Sequence, residues 1–337
     1  MSALSVAHGA ATTIFSNLFV KLPVPRGNPE LPNQVMIVTG SNTGLGLETS
    51  RHLLRLGLGK LIMAVRNLSK GHDAKQDLLK STGRDDASIE VWPLDMDSYE
   101  SVKAFARRAA QLPRLDGVLA NAGIMTRKFS LSEGHEKTPN VNVISTFLLC
   151  LLLLPKLRES ARQTGRPARF VIPNSALHYM APLAELAPEG PIIPRLDDPA
   201  KADMAGRYPL SKLLVLYAVR ELAERCKDKD KDKGRLIIIN TPNPSYCVSN
   251  LARETSGLGS RAAEKLLART TEEGSRTLYH ALCDAGEESN GQYLTNCHVQ
   301  TPSRHAFRQC AQPLQGRFFD ELLATLEKIQ PGISSNI

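Results

Sequence analysis

From Gln34 onward, short apolar runs alternate with amphipathic stretches of helical length. Val35–Val38 is apolar throughout and is followed by a glycine-rich turn and the helical pattern Leu45–Leu56. The alternation repeats as Leu61–Val65 then Ser69–Lys80, Ile89–Leu94 then Ser98–Gln111, and Gly117–Ala120 then a long helix from Pro139 to Leu157. Arg169–Ile172, the helix Tyr208–Cys226, Leu236–Asn240 and a last strand at Gly291–Thr295 complete it. Strands apolar at every position, not at every second one, are those buried on both faces of a sheet. The pattern predicts an α/β fold: a single doubly wound domain with a central parallel sheet of about seven strands and helices on both faces.

Three segments interrupt this order. Residues 1–33 form an N-terminal extension carrying Pro23, Pro25, Pro29 and Pro32, and the domain proper spans 34–337. Residues 180–206 are a Pro/Ala-rich insertion, and 243–275 follow the sixth strand; both are expected to close over the site as a substrate lid. Lys227–Lys233 alternates Lys with Asp and reads as a solvated loop.

Composition narrows the function classes without naming one. With 42% hydrophobic and 23% charged residues among 337, the chain can bury a full core. Its formal charge is +8, but basic and acidic residues are interspersed and no basic stripe carries interleaved aromatics, so nucleic-acid binding is not expected. The six cysteines form no CxxC pair and flank no histidines at zinc spacing, which points to no metal and a reducing compartment. The most apolar segment, Phe147–Leu154, reaches Pro155 after eight residues, too short for an integral membrane span. A cytoplasmic location is expected.

The first strand ends in Thr39-Gly40-Ser41-Asn42-Thr43-Gly44-Leu45-Gly46, directly before a helix. Exposed N–H groups and the dipole at a helix start favour pyrophosphate. Gly40 would permit the tight turn, Gly44 the approach of phosphate, and Gly46 the packing of helix on strand, as in a Rossmann dinucleotide site. After the second strand, where an acid would bond the ribose of NAD, the sequence has Arg66, suited to a 2′-phosphate. NADP(H) is therefore the expected cofactor, with Asp95 and Met96 at the adenine and Asn121-Ala122-Gly123 lining the cleft. An ordinary turn and a surface arginine are the plain alternatives.

Tyr208-Pro209-Leu210-Ser211-Lys212 opens a helix and sets Tyr208 and Lys212 one turn apart on one face. Bringing a phenol from its usual pKa of about 10 to about 7 takes roughly 4 kcal/mol, much of which a close ammonium supplies. Ser175, after the fifth strand, is placed to bond a substrate oxygen. Asn142 interrupts an apolar helical run and is a candidate holder of a water leading from Lys212 to solvent. Each has an ordinary alternative, a chance YxxxK, a turn serine or a surface asparagine; the joint order favours chemistry.

Together, Thr39–Gly46, Asn121–Gly123, Asn142, Ser175, Tyr208 and Lys212 resemble the pattern of the short-chain dehydrogenase/reductase family, over residues 34 to about 300. Arg207–Leu214, Asn243-Pro244-Ser245 and Ser249–Glu254 look like its retinol-dehydrogenase and WW-domain-oxidoreductase-like branch, and the whole is similar to fungal enzymes that tailor secondary metabolites. The resemblance implies Tyr208 as acid–base, Lys212 as its modulator and a ribose contact, Ser175 as substrate polariser and Asn142 as anchor of a relay water. It also implies Pro244 and Ser249 beside the cofactor, and a homodimer paired through helices such as 139–157 and 208–226. Asn174 stands where a serine often precedes the catalytic one, and Ser245 where glycine is usual, a strained position if its φ is positive.

The expectation is an NADP(H)-dependent ketoreductase or alcohol dehydrogenase acting on a small hydrophobic carbonyl or hydroxyl compound. The apolar Met180, Leu183, Tyr246, Leu251 and Leu258 would line its pocket. A non-redox isomerase, dehydratase or cyclase on the same fold, and a non-catalytic NADP-binding protein, are the alternatives.

Overall fold

In the computed structural model, residues 3–186, 190–227, 236–248, 267–302 and 311–337 are described. Ser249, Leu251 and Leu258, and the charged run beyond Lys227, lie outside them.

The strands are β1 (Val35–Thr39), β2 (Lys60–Val65), β3 (Ile89–Pro93), β4 (Gly117–Leu119), β5 (Leu131–Ser132), β6 (His135–Glu136), β7 (Ala168–Val171), β8 (Ile237–Asn243), β9 (Tyr293–Thr295) and β10 (His298–Val299). Eight of them form one sheet in the order β10-β9-β8-β7-β4-β1-β2-β3. Every neighbouring pair is parallel except β9 with β10. The expected parallel sheet is present, with one short antiparallel edge strand added. β5 and β6 make a separate hairpin.

The longer helices are α1 (Ala3–Phe19), α2 (Gly44–Arg55), α3 (Leu68–Thr82), α4 (Tyr99–Ala109), α5 (Thr146–Thr164), α6 (Arg207–Lys227), α7 (Thr271–Tyr279) and α8 (Ala311–Ile329). α2, α3 and α7 bury leucines such as Leu53, Leu78 and Leu278 on one sheet face. α4, α5, α6 and α8 bury Phe105, Phe147, Leu214 and Phe318 on the other. Buried on both faces, β1 and β8 are apolar or hydrogen-bonded at every position, as the continuous runs predict. Chain order reverses at β1, between β2 and β4, and a crevice opens at the carboxyl ends of these strands.

The helices expected to pair two copies pack against later parts of the same chain. α8 crosses α6, where Gln315 bonds Glu221, Asp320 pairs with Arg225 and the Arg225 guanidinium lies 4.6 Å from the centre of the Phe319 ring. The end of the chain closes on α5 through Asn336, which bonds both Arg158 and the Leu151 carbonyl. Phe147 to Leu151 and Leu213 to Val219 are buried within one chain.

Candidate active site

The glycine turn closes because three side chains are missing from it. Gly40 and Gly44 have φ of +62° and +59°, values that L side chains disfavour. A Cβ on Gly46 would sit 2.5 Å from Asn121 Nδ2 and 2.8 Å from the Gly40 carbonyl oxygen. That approach lets Asn121 donate to the Thr39 and Gly40 carbonyls at 3.0 and 3.3 Å, while Ala122 N donates to Thr39 Oγ1 at 2.8 Å. The space a side chain on Gly44 would take is open, and it lies over the first N–H groups of α2. Ser41 is buried, and its hydroxyl oxygen has no hydrogen-bond partner among the described residues. An open helix start with an unsatisfied hydroxyl beside it suits a phosphate-bearing ligand.

A cavity of about 570 Å3 runs from this turn to α6. Asn42, Thr43 and Leu45 line it at the turn, Arg66, Asp95 and Met96 at the ends of β2 and β3, and Ala122 and Gly123 after β4. Arg66 is exposed and has no ion-pair partner among the described residues. Its neighbour Asn67 caps α3 by accepting from Lys70 N at 3.0 Å. Asp95 is held by local bonds: its N donates to Ser101 Oγ at 2.9 Å, and its carboxylate accepts from Asp97 N at 3.0 Å.

Ser175, Tyr208, Lys212 and Pro244 line the other side. The Tyr208 and Ser175 side chains hydrogen-bond; burial pushes the phenol above its usual pKa, and this bond opposes the shift. Lys212 Nζ stands 5.6 Å from the centre of the Tyr208 ring and donates to the Pro173 carbonyl at 2.8 Å. Burial lowers its pKa to about 8. At neutral pH the site therefore holds a protonated phenol beside a largely charged ammonium.

Asn142 lies in a single π turn, Asn140–Ser145, that leads into α5. Such turns rearrange helix backbone and recur at functional sites. Both of its amide donors are committed, to the Ile124 carbonyl at 2.9 Å and Ser211 Oγ at 3.1 Å, and its Oδ1 accepts from Ile124 N at 2.9 Å. Ser211 in turn donates to the Tyr208 carbonyl at 2.8 Å. Asn142 thereby ties the segment after β4 to the start of α6.

Three residues support the site in ways the sequence did not state. Asn174 donates to the Lys212 carbonyl at 3.2 Å and to Thr241 Oγ1 at 3.1 Å, and accepts from Ser175 N at 2.8 Å. The residue that departs from the usual serine thus anchors the turn bearing Ser175. His178 packs against Tyr179 and Tyr293 and, with burial lowering its pKa to about 4, is neutral and donates from Nδ1 to the Ser175 carbonyl at 2.7 Å. Arg207, next to Tyr208, is fully buried and pairs with Glu185 at 2.7 Å and Glu136 at 3.3 Å. Burial raises the Glu136 carboxyl, against the pull of Arg207 and of two bonds from Thr138. This cluster joins the β5–β6 hairpin and the 180–206 insertion to α6, the helix that bears Tyr208. No motif marks a salt bridge between residues 71 positions apart; the arginine alone was visible.

Beyond β8, Ser245 has φ +69°, the left-handed conformation for which glycine is usual. Asn243 Oδ1 supports it by accepting from Ser245 N at 3.0 Å. Tyr246 and Val248 then pair with Arg269, whose guanidinium reaches the Ser16 and Val20 carbonyls at 2.6 and 3.0 Å. Asn17 of α1 donates to the Tyr246 and Leu267 carbonyls at 2.7 and 2.8 Å. The N-terminal extension is thus bonded to the wall of the cavity.

The short chain dehydrogenase family profile matches residues 34–166. The chain is 42% identical to the short chain dehydrogenase/reductase dmxR8 of Cryptosporiopsis sp., over 96% of this chain and 99% of that one. It is 43% identical to the short chain dehydrogenase atnD of Emericella nidulans, over 83% and 88% of the two chains. Among solved structures, a short chain dehydrogenase of Escherichia coli complexed with NADPH shares the fold at a TM-score of 0.56 and 22% identity, covering 78% of this chain and 96% of that one. A Mycobacterium paratuberculosis protein does so at 0.64 and 23%, over 91% and 95%. With a relative this similar along nearly its whole length, the chain belongs to the short-chain dehydrogenase/reductase family, whose members are oxidoreductases that bind NAD or NADP.

Proposed function

We propose that the protein is an NADP(H)-dependent ketoreductase or alcohol dehydrogenase for a small hydrophobic carbonyl or hydroxyl compound, acting in fungal secondary-metabolite biosynthesis. The observation that carries this reading is the Tyr208 phenol, bonded to Ser175 and beside Lys212, on the wall of a cavity that begins at the glycine turn. When bound, the nicotinamide cofactor supplies or accepts the hydride. Gly40–Gly46 and Asn121–Gly123 would hold its pyrophosphate and centre, and Pro244 and Ser249 would flank its far end. Arg66, with no carboxylate beside it at the end of β2, would take the 2′-phosphate; the NADPH-bound relative supports this choice.

Ser175 Oγ and Tyr208 Oη would both bond the substrate oxygen, and Tyr208 gives that oxygen its proton in reduction or takes it in oxidation. Lys212 stabilises the phenolate left behind. Asn142 would anchor a water that returns the proton from solvent. With both amide donors committed, it has only acceptor atoms left to offer that water. Residues 180–206 and 243–275 would set substrate specificity.

The deciding test is Tyr208→Phe, followed by nicotinamide absorbance over a panel of apolar ketones and alcohols. Turnover should fall by about a thousandfold or more, while NADPH binding, followed by fluorescence, stays near the wild-type value. Undiminished turnover removes the reading, and product formed without any absorbance change turns it toward isomerisation or cyclisation.

A further inference from the structure

α1 is a helix turned inside out. A surface helix in water places polar residues outward and apolar ones against the body. Here Asn17 faces the body and bonds the Tyr246 and Leu267 carbonyls, and Ser16 Oγ accepts from Asn296 at 3.0 Å. The large apolar side chains Ile14, Phe15, Leu18 and Phe19 are exposed, along with Ala10, Ala11 and Thr12. They lie in pairs four residues apart, on one face, with the Phe15 and Phe19 rings 5.3 Å apart. Phe15 and Phe19 are 60% and 70% exposed, and Val24, just beyond the helix, is 67% exposed. Large apolar side chains concentrated this way mark a face that meets something apolar.

The charges of the extension that carries this face bear on its partner. No Asp or Glu occurs between Met1 and Pro29, and the two basic residues there, Lys21 and Arg26, are exposed with no ion-pair partner among the described residues. A symmetric second copy would set this patch against itself and bring Lys21 and Arg26 toward their own counterparts, which repels. An anionic lipid surface presents the opposite charge and an apolar interior within reach of the phenylalanines. We propose that the outer face of α1, with Val24, Lys21 and Arg26, docks the protein on an anionic lipid surface.

The docked face adjoins the mouth of the cavity. Gly9 packs so closely on Tyr179 that a Cβ there would lie 3.0 Å from Tyr179 Cβ, and Asn17 holds Tyr246. Tyr246 and Leu177 are both exposed and both line the cavity. Docking therefore sets the opening at the lipid boundary, where an apolar substrate is concentrated; this last point rests on the reaction proposed above, and the docking itself does not.

The test is co-sedimentation of the full chain with vesicles of phosphatidylcholine, with and without phosphatidylserine. Binding is expected to the mixed vesicles and to be weaker without phosphatidylserine. It should fall about tenfold or more in Phe15→Gln/Phe19→Gln, and by a similar factor in Lys21→Glu/Arg26→Glu. Unchanged thermal midpoints show that the variants are folded, a readout that holds whether or not the chain binds NADPH. The charge-reversal pair, whose side chains are exposed, decides the matter should the phenylalanine variant fail to fold. Absence of sedimentation with either vesicle overturns the proposal, as does binding indifferent to these substitutions. A wild-type dimer that the phenylalanine variant converts to monomer does so too, by assigning the face to a second copy.

Discussion

The two walls of the cleft are held by different means. The wall of the glycine turn is built from backbone, with positive φ at Gly40 and Gly44 and with Asn121 and Ala122 bonded to Thr39 and Gly40. The wall bearing Ser175 and Tyr208 is held by side chains arriving from elsewhere: Arg207 on Glu136 and Glu185, His178 under Ser175, and Asn17 and Arg269 behind Tyr246. A backbone wall offers one shape to a constant ligand. A wall hung on distant side chains depends on residues far from it in sequence, among them Glu185 of the insertion and Asn17 of the extension.

The sharpest way to break this contrast is Arg207→Met. It strands Glu136 and Glu185 in a buried site, and the expected loss is about 3–5 kcal/mol in denaturant unfolding. The double variant Arg207→Met/Glu136→Gln should recover part of it. If NADPH affinity of the folded Arg207→Met protein falls as steeply as turnover, the two walls are not separate. Next in size, Gly46→Ala drives a methyl into Asn121 and the Gly40 carbonyl, both fixed. It should weaken NADPH binding by about tenfold to a hundredfold, the equivalent of roughly 1–3 kcal/mol of overpacking, by fluorescence titration. Arg66→Ala removes only a charged contact at the rim; NADPH affinity should drop about tenfold, with NADH affinity unchanged. Smallest is Ser245→Gly, which relieves a left-handed residue at some cost in chain entropy and should stabilise by about 0.5 kcal/mol in the same unfolding assay.

The backbone wall was also the legible one. A glycine turn announces itself because each glycine is a local necessity, and β1 to β4 with their helices follow from period and turn chemistry alone. The supports of the other wall are long-range pairs between ordinary residues, and nothing at Arg207 or Asn174 states which partner it will meet. Some omissions were not of that kind. Thr270 caps α7 by accepting from Glu273 N, a capping pattern readable three residues apart, and Leu314, Phe318, Leu322 and Leu326 repeat every fourth residue along α8. α1 went unread for a different reason: its large apolar residues face outward, so its pattern does not point to the core. Residues 139–157 read as unbroken helix because a π turn leaves the apolar pattern intact.

The crossing of α8 over α6 ties the end of the chain to the site. Here the helix that carries Tyr208 is covered by a later part of the same chain, joined at Glu221 and Arg225. Damage to that late helix, far from Tyr208 in sequence, would therefore reach Tyr208 through α6.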